Sequence, residues 1–267
     1  MNKNRQIDIM GIVNLTDDSY YSASRCVSPS QALSLAARHV EEGASIIDVG
    51  ACSTRPGSEP VGVEEEWRRL EPALKAIRGH FPDVRISVDT YFSEIVARVH
   101  DAIGDFIVND ISAGEDDPMM LPTVGRYGLT YVAMHKRGTP KTMQSMIDYE
   151  DVTADVADYF SAFSEKAAGA GVEDWIVDPG FGFAKTLEQN YEIMRNLGRF
   201  KAVFPSRRLL VGVSRKSMVY RLLGITPEET LPATQVLHLH ALQNGADILR
   251  VHDVAEAAQT VTLYQNL

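Results

Sequence analysis

Eight short apolar runs recur along the chain: Ile7 to Val13, Ser45 to Val49, Val84 to Val88, Phe106 to Val108, Thr130 to Met134, Trp175 to Val177, Leu209 to Val213 and Ile248 to Val251. Helix-like segments lie between them. Strands that alternate with helices must run parallel, because a parallel pair needs a long crossover connection. The near-continuous apolar character of the runs predicts strands covered on both faces. Eight such units close most naturally into an α/β fold of the (β/α)8 TIM barrel type, for which about 250 residues is an ordinary length. The 267 residues are therefore read as a single domain spanning 1–267. A doubly wound open sheet is the runner-up, but the glycine-rich dinucleotide fingerprint it would carry after its first strand is absent.

Local signals place several helices. Ser28 as N-cap, Pro29 at the first helical position and Gln31 predict a capped helix start, and Gly43 can end that helix. Thr186 and Gln189 form a second capping-box pattern, followed by Leu187, Tyr191, Met194 and Leu197 on one apolar face. Val156, Phe160, Phe163 and Ala167 mark another face between the fifth and sixth strands.

Composition narrows the partners. A hydrophobic fraction of 45% and a charged fraction of 23% suit a soluble globular chain, and no apolar run approaches the ~20 residues of a membrane span. The net charge of -10 argues against nucleic acid, whose phosphates are held by excess Lys and Arg. Met1-Asn2-Lys3-Asn4-Arg5-Gln6 leads into the first strand without a signal-like apolar segment, so a cytoplasmic location is expected. Cys26 and Cys52 have neither a disulfide-framework pattern nor zinc-ligand spacing, which fits a reducing compartment.

Catalytic groups in such a barrel sit at the carboxyl ends of the strands. In order these ends carry Asn14, Asp48, Asp89, Asn109 with Asp110, His135, Asp178, Lys216, and Arg250 with His252. Any one Asp or Asn after a strand is commonly a helix N-cap. Polar groups at all eight mouths instead describe a pocket. Asp89, Asn109 and Asp178 offer acceptors and one amide, which suits the N-H edge of a planar heterocycle. Arg250, His252 and Asn14 meet where the first and eighth strands join, and Arg with His there suits a phosphate or pyrophosphate.

Long segments flank this pocket. Leu15 to Val27 carries Asp17, Asp18, Tyr20 and Tyr21, and Ala51 to Val63 carries Ser53-Thr54-Arg55-Pro56-Gly57. Loops of such length on a barrel top serve as lids or substrate loops, although plain surface loops are the bland alternative. For the basic run Lys136 to Lys141, a merely solvated charge cluster is an equal reading.

Ten blocks then stand in one order: Met10-Gly11-Ile12-Val13-Asn14, Asp48-Val49-Gly50, Ser53-Thr54-Arg55-Pro56-Gly57, Ser87-Val88-Asp89-Thr90, Val108-Asn109-Asp110-Ile111-Ser112, Met134-His135, Gly138-Thr139-Pro140, Asp178-Pro179-Gly180, Ser214-Arg215-Lys216-Ser217 and Arg250-Val251-His252. With these blocks the chain resembles the dihydropteroate synthase family along essentially its whole length. The resemblance implies a pterin-binding barrel that joins 6-hydroxymethyl-7,8-dihydropterin pyrophosphate to p-aminobenzoate, releasing pyrophosphate. It implies Asp89, Asn109, Asp178 and Lys216 for the pterin, and Asn14, Arg250 and His252 for the pyrophosphate, with Mg2+ at Asn14. Thr54, Arg55, Pro56, Ser217 and Tyr20 are implied for p-aminobenzoate, and Arg250, His252, Lys216 and Asp89 for catalysis. A homodimer and sulfonamide binding are further expectations from the family.

The match departs in two loops. Where the family commonly reads T-P-D-S-F-S-D-G-G, this chain has Thr16-Asp17-Asp18-Ser19-Tyr20-Tyr21-Ser22-Ala23-Ser24, so Ser22 stands for an aspartate. Ala51-Cys52 stands where Gly-Glu is common. A pterin-dependent methyltransferase barrel, or a noncatalytic pterin-binding paralogue, is the alternative reading.

Overall fold

β1 (Asp8–Asn14), β2 (Ile46–Gly50), β3 (Arg85–Asp89), β4 (Ile107–Asp110), β5 (Thr130–Met134), β6 (Trp175–Asp178), β7 (Arg208–Val211) and β8 (Ile248–Val251) pair in parallel in chain order. β8 returns to β1, with Asp8 opposite Ile248 and Met10 opposite Arg250, so the sheet is a closed barrel rather than a doubly wound open sheet. The computed structural model describes residues 5–15, 28–52, 61–139 and 142–267.

Helices cover the outside: α1 (Pro29–Glu41), α2 (Val63–His80), α3 (Ser93–Ile103), α4 (Met120–Tyr127), α5 (Val152–Gly169), α6 (Leu187–Arg195), α7 (Leu197–Val203), α8 (Ser217–Leu223), α9 (Leu231–Gln243) and α10 (Val254–Asn266). Ser28 caps α1 by accepting the Gln31 N–H, and both bonds of the Thr186–Gln189 capping box form at α6. Val156, Phe160, Phe163 and Ala167 are buried as their spacing predicts. The face predicted through Leu187 differs. The chain breaks at Asn196 into α6 and α7, Leu187 is exposed, and the buried face of α6 is Asn190, Ile193 and Met194. Among the described residues, no helix is long and apolar enough to cross a membrane.

Because side chains alternate across a strand, each barrel strand sends every second residue inward. Met10, Ile46, Ile107, Val132, Ile176, Leu210 and Ile248 form a separate buried cluster, the middle layer of the interior. Each such side chain contributes about 1.5–3 kcal/mol when taken from water. Two residues further along the strands come Asp48, Asn109, Met134, Asp178, Gly212 and Arg250, with Asp89 on β3. Two residues before Met10 and Leu210 come Asp8 and Arg208, with Arg85 at the matching end of β3. One alternation thus sets an apolar plug between two polar ends.

Candidate functional site

Several strand-mouth residues lie inside the sheet ladder. Asn14 stands opposite Gly50, Gly50 opposite Asp89, Asp89 opposite Asn109, and Met134 opposite Asp178. Their backbones are fixed by neighbouring strands, which holds the side chains more firmly than a loop would. Gly50 eases this spacing, because a Cβ there would press on the Asp89 Cβ at 3.2 Å.

Asp48 ties one side of the mouth together. Fully buried, it accepts from Ser87 Oγ at 2.6 Å, from Asn109 Nδ2 at 3.2 Å and from Arg250 Nε at 2.7 Å. Arg250 Nη2 donates to Asp89 at 2.9 Å. The guanidinium therefore bridges carboxylates from β2 and β3, and Nη1 takes no part in either bond. Burial pushes Asp89 up to about 7, with Arg250 opposing and the Asp48 charge adding to the rise. Because the Asn109 amide nitrogen faces Asp48, its oxygen is left as the acceptor for the pocket.

Opposite lie Asp178 and Lys216. Asp178 Oδ1 accepts the Gly180 N–H at 2.8 Å, so one oxygen has capping duty while Oδ2 is outside that bond. Burial raises its pKa, and the Lys216 charge is the chief opposing influence. Lys216 Nζ donates to Phe181 O at 2.5 Å and sits 5.0 Å from the Phe183 ring centre. Burial lowers its pKa to about 8, with Asp178 pulling it back up.

At the β7–β8 seam, Ser214 Oγ lies 3.1 Å from His252 Nδ1 and accepts the His252 backbone N–H at 3.2 Å. Burial, then the charges of Arg250 and Arg215, lower the His252 pKa to about 3. It is a neutral imidazole at pH 7, and what it can give an anion is an N–H rather than a charge. Arg215 has φ of 56°, a left-handed conformation rare for a side chain of this size. Two bonds to Asp253, at 2.7 and 2.9 Å, and bonds to the carbonyls of Pro227 and Glu228 hold it there. That twist lets Ser214 face β8 while Lys216 faces the β6 loop. Ser217 opens the seven-residue α8.

Other sequence candidates have structural duties. Asp110 accepts Ser112 N, Ser112 Oγ, Gly114 N and the Tyr131 hydroxyl, so it holds its own turn. Lys136 is buried against Asp116, and Arg137 stacks 3.7 Å from the Tyr149 ring centre, so these two cations are not simply solvated, while Lys141 lies outside the described residues. Cys52 donates to Glu66 at 3.3 Å, and burial pushes its thiol up to about 12, which leaves it protonated and inert. Thr54, Arg55, Pro56, Tyr20, Ser22 and Asp17 lie outside the described residues. Sequence reading named Asp48 only as a strand end and did not find Lys185, which has no periodic or motif signal.

A family model described as "Pterin binding enzyme" matches residues 10–252. Dihydropteroate synthase of Synechocystis sp. is 41% identical over 94% of this chain and 86% of its own length, and that of Escherichia coli is 40% identical over 96% and 90%. The chain belongs to the dihydropteroate synthase family of pterin binding enzymes. Among solved structures, the dihydropteroate synthase of Yersinia pestis with a sulfonamide drug superposes with a TM-score of 0.92 at 34% identity, covering 100% of this chain and 95% of that one. The dihydropteroate synthase of Thermus thermophilus in complex with 4-aminobenzoate has a TM-score of 0.86 at 35% identity, covering 100% and 96%.

Proposed function

We propose that residues 1–267 act as one pterin-binding barrel domain with dihydropteroate synthase activity, transferring the dihydropterin methylene group from pyrophosphate to the amine of p-aminobenzoate. The observation that carries this is the rigid ring of Asp89, Asn109, Asp178 and Lys216 around one mouth, beside Arg250 and His252, in a chain alike to synthases over nearly its full length. Asp178 Oδ2 and Asn109 Oδ1 accept from the pterin's amino and ring N–H groups, and Lys216 donates to its acceptor edge. Leaving such donors unpaired in a buried pocket would cost roughly 1–3 kcal/mol each.

The C–O bond to pyrophosphate breaks as electron density flows out of the dihydropterin ring, so stabilisation belongs on the departing oxygens and in the exclusion of water. Arg250 is held by Asp48 and Asp89 and directs its remaining N–H groups at that anion, which restricts the motion it loses on binding. His252 adds a neutral N–H bond. The aniline nitrogen is already nucleophilic and needs no strong base. Ser217, with Thr54, Arg55, Pro56 and Tyr20, serves the p-aminobenzoate side, and a sulfonamide competes there.

The donor set suits Mg2+. Asn14 offers one amide oxygen, and among the described residues no group of three or more His, Cys, Asp or Glu forms a cage for a cation. Mg2+ prefers oxygen, keeps several waters and binds through one or two protein ligands plus substrate phosphates. Asn14 would hold it, and the ion would neutralise diphosphate charge. Exposed Leu222, Leu223, Val236 and Leu263 on α8, α9 and α10 support a homodimer built on those helices, which light scattering checks. The free thiol of Cys52 supports a cytoplasmic location.

The deciding experiment measures pyrophosphate release from the dihydropterin pyrophosphate with Mg2+, with and without p-aminobenzoate. Release that depends on p-aminobenzoate and yields dihydropteroate is the expected result. Tight pterin binding without product would instead make the chain a noncatalytic paralogue.

A further inference from the structure

Lys185 is buried, with 4% of its surface exposed, and its hydrogen bonds go to His135, Gly180 and Phe183 rather than to a residue assigned to either substrate by sequence, although the charges of Asp178 and Lys216 reach it. Its ammonium donates to His135 Nδ1 at 3.0 Å, to Gly180 O at 3.0 Å and to Phe183 O at 3.0 Å, with His135 O at 3.4 Å. Three good acceptors match the three donors of an ammonium. Two of those acceptors are carbonyls of the β6–α6 loop, and the third is a side chain at the end of β5. Lys185 therefore fastens that loop to the neighbouring strand.

Both pterin groups on this side of the mouth depend on the same loop. Asp178 begins it and is oriented by the Gly180 N–H, while Lys216 is received by the Phe181 carbonyl and lies against the Phe183 ring. Lys185 binds the carbonyls of Gly180 and Phe183, which flank Phe181 on either side. Gly180, with φ of 72°, brings the loop so close to β5 that a Cβ would lie 2.0 Å from the His135 carbonyl oxygen. The far end of the loop is fixed separately, with Asn190 accepting from Gly182 N and donating to Lys185 O, and Tyr149 donating to Ala184 O.

His135 has a matching place. Burial, then the charges of Lys185 and Arg137, push its pKa down to about 2, so it stays neutral, and its Nδ1 accepts whenever Lys185, lowered by burial to about 7, carries its proton. Its ring is packed edge-on against Tyr159, with centres 4.9 Å apart. The imidazole is thus a fixed acceptor that sets where the ammonium sits.

We propose that Lys185, seated by His135, is the positioning residue of the pterin pocket, fixing Asp178 and Lys216 in register through the loop carbonyls between them. The assignment rests on the reading of Asp178 and Lys216 as pterin ligands. In the full chain, Lys185→Met keeps the apolar stem and removes the ammonium. The expected result is a rise of about tenfold or more in KM for the dihydropterin pyrophosphate, with KM for p-aminobenzoate within about twofold of the parent. A lower melting temperature with both KM values unchanged, or both KM values raised alike, would overturn it. Should that variant fail to fold, His135→Phe keeps a ring of similar size and leaves Lys185 its two carbonyls. A selective rise of about threefold in the pterin KM then supports the proposal, and no change refutes it. Asp178→Asn separates the two layers of inference. If it raises the pterin KM while Lys185→Met does not, the positioning role fails alone. If Asp178→Asn leaves that KM unchanged, the pterin assignment itself fails.

Discussion

The two ends of the barrel are built from the same kinds of residue and do opposite things with them. At the amino-terminal end Asp8 is buried, yet it accepts from Ser45 at 2.8 Å, from Arg208 at 2.6 Å and from Arg85. Burial alone would raise its pKa, but the hydrogen bonds from Arg85, Ser45 and Arg208 hold it below the usual carboxylate range. Asp247 beside it is held by Lys201 at 3.0 Å and by the Leu209 N–H at 2.9 Å. At the carboxyl-terminal end, desolvation prevails: Asp89 and Asp178 are raised, while Lys216 and Lys185 fall to about 8 and about 7. One end is a satisfied ionic closure. The other holds ionisable groups whose charged forms are disfavoured by burial even where they have partners, as is common at the chemical end of this fold.

The sharpest way to test that contrast is Asp178→Asn. A carboxylate whose pKa is raised by folding costs stability whenever it is ionised above its unfolded pKa, so the amide removes a penalty at pH 7. The expected outcome is a melting temperature unchanged or higher, with kcat/KM lowered by about 10^2–10^3. A parallel loss of stability would place Asp178 with the structural carboxylates instead.

Asp8→Asn is the converse. Arg85 and Arg208 lose their counter-charge and one of the two acceptor oxygens becomes an NH2 donor, so stability should fall by about 1–3 kcal/mol in urea unfolding while kcat/KM stays within about twofold. Because the folded pKa of Asp8 is depressed, its contribution is present above the unfolded value near 3.8 and is lost as pH falls through the folded one. The gap between parent and variant should therefore close only in strong acid. A gap that closes near neutral pH would contradict the assignment.

The smallest effect concerns buried histidines. His135, His238 and His252 are pushed by burial to about 2, about 4 and about 3, so each folded imidazole stays neutral while its unfolded counterpart takes up a proton near 6.5. Between those values the unfolded state binds more protons, and stability falls as pH drops below about 6.5. His238 lies on α9, with Nδ1 at 3.1 Å from Gln235. His238→Gln should flatten the slope of unfolding free energy against pH between 6 and 4.5 by up to about 1.4 kcal/mol per pH unit, one proton's share. An unchanged slope would mean that this imidazole already titrates in the folded state.

Much of this was written locally. The period-two alternation that puts Ile46 in the middle layer puts Asp48 in the top layer, and the same step links Ile107 to Asn109, Ile176 to Asp178 and Ile248 to Arg250. Eight strands in alternation with helices leave few ways to bury both sheet faces, so the barrel was legible too. Residue type alone separated the acceptors Asp89, Asn109 and Asp178 from the donors Arg250 and His252. The split of α6 from α7 at Asn196 did not, because the apolar spacing runs on through Leu197 without a Gly or Pro to interrupt it.

The partners of the charges were beyond the reach of sequence. Arg250 meets Asp48 and Asp89 across 202 and 161 residues because closing the ring brings β8 round to face β2 and β3. That closure turns an apparent free cation into a braced one, desolvates His252 until it is neutral, and buries Lys185 under a loop with no motif to announce it. Sequence by itself determined which strand residues share a face and a layer, since that depends on neighbours two residues away, but not that Asp110 and His135 hold loops in place. Only the tertiary structure decided which of them are ionised and what each one holds, because desolvation and pairing depend on atoms brought together from the whole chain.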